Sequence, residues 1–166
     1  MTNSSSESSI SLRPSSPDDR EAVRALLAAT GVFRAEELEV ALEVFDGCVD
    51  GLGYLGAVAV SAGRVVGIAL WGPSPMTLGT FDLYWLASHP EAHGSGAASA
   101  LLSRVVDDVH RRGGRLLIVE TESTAGYARA RRFYEREGLH EIARIQDYYR
   151  PGADKVVGAM RIPRER

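Results

Sequence analysis

Apolar and polar positions change their period several times along the chain, and each change marks a predicted element. A period near 3.6 residues predicts helices after Ser16 and over residues 35–49, 97–112 and 125–137. Alternating or continuous apolar runs predict strands at residues 10–13, 54–60, 64–71, 80–88, 116–119, 139–149 and 155–162. The predicted order is β-α-α-β-β-β-α-β-α-β-β. This is an α/β (α+β) fold with a mixed sheet and helices on its faces.

Composition is that of an ordinary globular domain, with 166 residues, 45% hydrophobic and 25% charged. We expect a disordered polar tail over residues 1–8 and a single domain over residues 9–166. The net charge of -3 argues against a nucleic-acid partner. No apolar run approaches the roughly 20 residues that cross a membrane, and the serine-rich start is not a signal peptide. The expected location is therefore cytoplasmic, without a membrane partner.

Two residue types bear on redox chemistry and metals. Cys48 is the only cysteine, which excludes an internal disulfide and a multi-cysteine metal site. The four histidines are scattered and have no acidic partner at ligand spacing. We therefore expect no metal.

The most informative stretch is a glycine-containing loop over residues 89–96, between a predicted strand and a predicted helix. Gly94 and Gly96 let the backbone turn tightly, and the helix start adds N–H groups with partial positive charge. The loop is therefore suited to an anion such as pyrophosphate. One alternative is a strand-to-helix turn without a ligand. Another is a dinucleotide site, because residues 94–99 are one residue short of G-x-G-x-x-G and the acid Glu120 follows at about 20 residues.

The dinucleotide alternative fits the rest of the chain poorly. Its glycine turn follows the strand directly, whereas several residues intervene here, and antiparallel strands precede the loop. The chain is also too short for a second mononucleotide-binding half.

Two motifs of the chain carry a resemblance to a known family. The sequence HxxGxA at residues 93–98 resembles the Q/R-x-x-G-x-G/A loop of the GNAT superfamily of N-acetyltransferases. The sequence AxxFYxxxGL at residues 130–139 resembles the second family signature, N-x-x-A-x-x-F-Y-x-x-x-G-F. The strand LYWLAS at residues 83–88 also looks like the family's fourth strand. The resemblance spans roughly residues 10–162, which is nearly the whole chain outside the predicted tail.

The resemblance implies acetyl-CoA as cosubstrate and direct attack by a primary amine in a ternary complex. It implies that Tyr134 assists the departing thiolate, and that backbone donors come from the fourth strand. By position these donors are Leu86, Ala87 and Ser88. The residues implied to hold the cofactor are His93, Gly94, Ser95, Gly96, Ala97, Ala98, Ser99 and Tyr127. His93 stands where the family usually has Arg or Gln, and Tyr127 where it usually has Asn.

Three acids are candidates for the general base that deprotonates the amine. Asp82 is our first choice, because its place on the strand resembles that of the glutamate base in histone-acetylating relatives. Period-two alternation predicts that Asp82 shares a face with Tyr84 and Leu86. Glu120 and Glu122 are alternative bases near the end of the buried strand.

The acceptor pocket implied by the resemblance is formed by the first two helices, the fourth strand and the last hairpin. Candidate side chains there are Phe33, Trp71, Tyr84, Asp147, Tyr148 and Tyr149. Their mixture of aromatic and charged groups suits a small-molecule amine or amino acid. A peptide N-terminus or protein lysine is an alternative, because residues 147–151 look like the Tyr-Tyr hairpin of relatives that acetylate N-termini. A non-catalytic acyl-CoA-binding module remains a further alternative, and a homodimer is left open.

Overall fold

The computed structural model describes residues 9–163, so the tail predicted over residues 1–8 lies outside the described part of the chain. The elements occur in the predicted order. The described helices are α1 (Arg20–Ala29), α2 (Ala35–Val49), α3 (Ala97–Arg111) and α4 (Ala128–Arg136). The strands are β1 (Ser11–Pro14), β2 (Leu55–Ser61), β3 (Arg64–Pro73), β4 (Thr80–Ser88), β5 (Leu116–Glu122), β6 (His140–Arg150) and β7 (Ala153–Arg161). Short 3₁₀ turns at Pro17–Asp19, Pro90–Ala92 and Ala125–Tyr127 precede α1, α3 and α4.

The strands form one mixed sheet in the order β1-β2-β3-β4-β5-β7-β6, which confirms the predicted fold class. All neighbours pair antiparallel except β4 and β5, which are parallel. The β4–β5 register covers only Thr80–Leu83 against Leu116–Val119. Beyond it the two strands diverge, and we call the opening between residues 84–88 of β4 and 120–122 of β5 the splay. The splay leaves backbone groups of β4 without a partner strand on that side.

A β-bulge in β4 changes which side chains face the two sides of the sheet. Leu70 pairs with Trp85 and Trp71 pairs with Leu83, so Tyr84 is an extra residue. Tyr84 and Trp85 both pack against the α1/α2 side, and Leu86 packs against the α3 side. The expectation that Leu86 shares a face with Asp82 and Tyr84 is therefore corrected, because the bulge shifts the alternation by one residue.

Helices cover both faces of the sheet and bury two apolar cores. Between the sheet and α1 and α2, the core includes Leu26, Leu42, Phe45 and Ile68, each at most 2% exposed. The core on the other face lies beneath α3 and α4. Because both faces are covered, the splay connects two sides of the molecule that are otherwise separated by the sheet.

No helix within residues 9–163 is both long and apolar enough to span a membrane. The cytoplasmic location stays a prediction.

Candidate active site

A cleft of about 390 Å³ lies on the α1/α2 side of the sheet, where β4 and β5 begin to diverge. Its lining comes from the α1–α2 connection, the start of α2, β4, β5, the turn before α4, and β6. These residues are Phe33, Glu37, Asp82, Leu83, Tyr84, Trp85, Ile118, Glu120, Thr121, Glu122, Tyr127 and Tyr149. The volume is typical of a small-molecule site.

Asp82 lies in this cleft two residues before the bulge. Its Oδ2 atom accepts a hydrogen bond from the Ser74 hydroxyl. Within residues 9–163 it has no cationic partner at ion-pair distance. The carboxylate is therefore held in place by a neutral group and has not been neutralised by a fixed cation.

The two alternative bases lie in the same cleft but are both ion-paired. Glu120 accepts from Lys155 Nζ at 2.7 Å. Glu122 is buried and accepts from Arg150 at 2.7 and 3.2 Å and from the Thr124 hydroxyl at 2.7 Å. Burial raises the pKa of Glu122, but the Arg150 and Thr124 hydrogen bonds outweigh it and the net pKa is lowered. The lowered pKa makes proton uptake by Glu122 less favourable, and the ion pair with Lys155 engages one carboxylate oxygen of Glu120.

The predicted glycine loop joins β4 to α3 as expected, and its glycines have backbone angles that other residues rarely adopt. Gly94 has φ +82° and Gly96 has φ +85°, and a Cβ on either would meet open space. Ser95 closes the turn: its hydroxyl donates to Ala92 O at 2.6 Å and accepts from Ala97 N at 3.3 Å. The first turn of α3 thus presents N–H groups toward an open surface, which is the arrangement that binds anions.

Three other residues predicted to bind the cofactor, Ala97, Ser99 and His93, contribute little charge or hydrogen bonding to an anion. Ala97 is 1% exposed and packs in the core beneath α3. The hydroxyl of Ser99 donates to Glu137 at 2.8 Å, so this side chain is already engaged with the end of α4. Burial, followed by the nearby Arg129 charge, lowers the pKa of His93, so its imidazole is neutral at pH 7. The loop's own contribution to anion binding is therefore mainly backbone N–H groups.

Tyr127 forms a wall of the cleft together with the α1–α2 connection. Its ring lies edge-on to Phe33 at 6.4 Å, and its hydroxyl lies 3.5 Å from Val32 O. Burial, reinforced by Glu37 and Glu122, raises the pKa of Tyr127 to about 12, so the hydroxyl stays protonated. Tyr127 lines the cleft beside Phe33, and its predicted contact with the cofactor stays a prediction.

Of the six residues predicted for the acceptor pocket, Phe33, Tyr84 and Tyr149 line the cleft, and three do not. Trp71 is 3% exposed beneath α3, where its indole donates to Asp108 at 3.1 Å. It faces the opposite side of the sheet because side chains alternate along β3: Leu70 packs on the α1/α2 side, so Trp71 packs on the α3 side. Asp147 has φ +51° and accepts from Gly152 N at 2.7 Å, so it shapes the hairpin turn. Tyr148 is half exposed and packs on Lys155, whose Nζ lies 4.2 Å from its ring centre.

Sequence reasoning missed several cleft residues, among them Glu37, Trp85 and Thr121. Glu37 gave no signal because an acid in the first turn of a helix is ordinary. Trp85 enters the cleft side only because of the bulge. Thr121 is 8% exposed and its hydroxyl is buried without a hydrogen-bond partner within the described residues, which sequence cannot reveal.

Comparison with known proteins identifies the family. The sequence model of the acetyltransferase (GNAT) domain matches residues 53–140. A GNAT-family protein from Desulfovibrio desulfuricans has a similar crystal structure, with TM-score 0.89 and 39% identity over 93% of this chain and 100% of that chain. The chain belongs to the GNAT family of acetyltransferases. It is an acetyl-CoA-dependent N-acetyltransferase, which removes the dinucleotide alternative.

Two more distant GNAT structures share the fold. The ribosomal-protein-S18-alanine N-acetyltransferase from Escherichia coli has TM-score 0.77 at 20% identity, covering 95% of this chain and 97% of that chain. A protein from Salmonella typhimurium, solved with its cofactor acetyl-CoA, has TM-score 0.75 at 20% identity, covering 94% and 95%. No curated protein matches the sequence.

The GNAT cofactor fits features of this chain. Gly94 and Gly96 leave open space where a Cβ would stand, so a pyrophosphate can approach the backbone closely. The hydroxyl of Thr121 is a buried polar group at the splay that has no hydrogen-bond partner within residues 9–163. Residues 84–88 of β4 have backbone groups directed away from β3, toward the splay. These groups are suited to the phosphates and to the amide-containing arm of acetyl-CoA.

Tyr134 lies on the α3/α4 side of the splay, opposite the cleft. It is 8% exposed and belongs to the core that also contains Leu83 and Val119, the last paired residues of β4 and β5. Its ring packs edge-on against Phe133 at 5.6 Å. Burial raises the pKa of Tyr134, so the hydroxyl remains protonated and can donate.

Replacing Gly96 tests the cofactor loop of this GNAT protein. Gly96→Asp strains a backbone at φ +85° and places a negative charge beside the expected phosphates. We expect CoA affinity, measured by calorimetry, to fall by at least about tenfold. Gly113→Asp is the matched control, because Gly113 has φ +73° and open space at the opposite end of α3. Equal CoA affinities for the two variants would contradict a phosphate site at this loop.

Proposed function

We propose that the protein transfers the acetyl group of acetyl-CoA to a primary amine of a small molecule, by direct attack in a ternary complex. The splay carries this proposal, because it has a carboxylate-lined cleft on one face and a buried tyrosine on the other. An acceptor can therefore reach the splay from the α1/α2 side while the cofactor is held from the α3 side.

Asp82 is the proposed general base. Among the four carboxylates of the cleft it alone has no cationic partner within residues 9–163. The Ser74 hydroxyl fixes one carboxylate oxygen and leaves the other free to accept a proton, directly or through a water. Glu120 and Glu122 remain alternatives, and their ion pairs with Lys155 and Arg150 disfavour them.

The β4 backbone and Tyr134 are proposed to act on the thioester. When bound, acetyl-CoA supplies the acetyl thioester, whose C–S bond breaks as the amine nitrogen forms the new C–N bond. Backbone N–H groups of Leu86, Ala87 and Ser88 that point away from β3 are the proposed donors to the thioester oxygen. Tyr134 holds a proton that it gives to the departing sulfur, and Asp82 takes the proton that the amine loses.

A cleft of about 390 Å³ with five aromatic rings supports a small acceptor over an extended protein segment. A peptide N-terminus is the second candidate, and it is favoured by one observation. Tyr148 and Tyr149 lie edge to face at 4.9 Å in the β6–β7 hairpin, with Tyr149 in the cleft and Tyr148 outside it. An aromatic hairpin at the edge of the cleft could hold the residues that follow an α-amine.

The test is a turnover screen with acetyl-CoA that records free thiol release. Small amines, amino acids, aminoglycosides and short peptides are compared at equal concentrations, with product masses confirming N-acetylation. We expect a small amine to give the highest kcat/KM. Thiol release that no amine accelerates would overturn the proposed function. A clear preference for peptides would replace the small molecule with a peptide N-terminus.

A further inference from the structure

We propose that the acceptor carries a second positive charge besides the reacting amine, carries no carboxylate, and is held by Glu37. This inference rests on the proposed function, since it names the substrate class of the same cleft. It concerns the part of the acceptor that does not react.

The lining of the cleft is acidic. The cleft is lined by four acids, Glu37, Asp82, Glu120 and Glu122. None of the described residues lining it is a lysine, arginine or histidine. A substrate carboxylate would therefore lose its hydration and meet like charges, which is unfavourable. An amino acid acceptor fits this lining poorly.

The cations just outside the lining are each held by a carboxylate. Arg34 contacts Glu37 through its backbone N at 2.8 Å and its Nε at 3.4 Å. Lys155 is held by Glu120 and by the Tyr148 ring. Arg150 makes a bidentate pair with Glu122. Each cation is thus already engaged by a carboxylate, and binding an acidic acceptor would require breaking one of these pairs.

Glu37 has one carboxylate oxygen that is available to a ligand. Both contacts from Arg34 go to Oε2 of Glu37, so its Oε1 has no hydrogen-bond partner within residues 9–163. The Glu37 side chain is 27% exposed and its ion pair with Arg34 is long, at 3.4 Å, whereas that of Glu120 is 51% exposed and lies 2.7 Å from Lys155 Nζ. Glu37 comes from α2 and Asp82 from the sheet, so the cleft has carboxylates on two different walls. One can bind a distant ammonium while the other faces the reacting amine.

The rest of the lining suits an alkyl or ring spacer between the two amines of the acceptor. Five aromatic side chains line the same cleft: Phe33, Tyr84, Trp85, Tyr127 and Tyr149. Aromatic faces bind cations and methylene groups well and give nothing to an anion.

The experiment compares acceptors of equal chain length: α,ω-diamines, the corresponding alkyl monoamines and the corresponding ω-amino acids. We expect kcat/KM for the preferred diamine to exceed that of its monoamine by about tenfold, the effect of one charge-assisted hydrogen bond. The ω-amino acid should be the poorest of the three. Calorimetry on the CoA-loaded protein should show the same order of acceptor affinity.

Glu37→Gln is the diagnostic variant, because the amide oxygen can still accept from Arg34 N and cap α2. It should raise KM for the diamine about tenfold and leave the monoamine nearly unchanged. Glu36→Gln is the matched control, since Glu36 is exposed, lies one residue earlier and does not line the cleft.

The outcomes separate this inference from the proposed function. If monoamines or amino acids are acetylated as well as diamines, or if Glu37→Gln affects all acceptors equally, the second-charge inference is overturned and the acetyltransfer stands. If no amine of any class releases thiol, the proposed function itself fails.

Discussion

Asp82→Asn is expected to lower kcat by roughly 10²-fold or more at neutral pH, the magnitude of a lost general base. The amide cannot take up the amine proton, although it can keep the hydrogen bond to the Ser74 hydroxyl. Because a general base acts only in its deprotonated form, we expect an acidic limb in the native pH–rate profile. That limb should disappear in the variant. The measurement is kcat against pH with an amine of known pKa, so that the acceptor's own titration can be separated.

Three companion variants make the result specific to the base. Asp82→Glu keeps a carboxylate and should keep the acidic limb. Glu120→Gln should leave the limb in place because Glu120 is already ion-paired with Lys155. Glu122→Gln should weaken the pair with Arg150 and lower the melting temperature without removing the limb. If Glu120→Gln alone removes the limb, the base lies on β5 and Asp82 binds the acceptor or orders β4.

The elements and their order could be predicted because each depends on local periodicity. The glycine loop could be predicted equally well. Glycine is the residue that favours the positive φ found at Gly94 and Gly96, and the apolar period after it predicts the amphipathic helix. The mixed character of the sheet could also be predicted, because a helix between two strands is the usual connection of a parallel pair. The sequence therefore predicts well the strands, the helix and the loop expected to bind the cofactor.

The acceptor side could not be predicted to the same depth because it depends on tertiary register. The extra residue Tyr84 in β4 turns Leu86 away from the cleft. The register of β6 against β7 shifts between Ile145 and Arg150, and the Arg150 side chain reaches Glu122, 28 positions earlier in the chain. Such a pairing leaves no local pattern. The ion pairs of Glu120 and Glu122 depend on such distant partners, so the sequence could name the candidate acids but not rank them on electrostatic grounds.

Tyr134→Phe is expected to lower kcat by roughly 10²-fold, because it removes a proton donor to the departing sulfur and keeps the ring. The ring supplies the packing with Phe133 and the core beneath α3 and α4, so stability and CoA affinity should barely change. Burial raises the pKa of Tyr134 above the ordinary value of 10.0. The hydroxyl therefore stays protonated at pH values below that, and the native profile should show no alkaline limb from this residue. The variant's profile should keep its shape and fall uniformly.

A change of leaving group distinguishes proton donation from packing. An acetyl thioester of an aromatic thiol releases a stable thiolate that needs no proton, so the deficit of Tyr134→Phe should shrink with this donor. Tyr127→Phe is the matched control: it also loses one hydroxyl from a ring, here a half-buried one, and that hydroxyl lies 3.5 Å from Val32 O on the acceptor side. It should stay close to the native rate with both donors. A Tyr134→Phe deficit that is equal for both thioesters would assign Tyr134 to packing, because only a proton donor depends on the basicity of the departing sulfur.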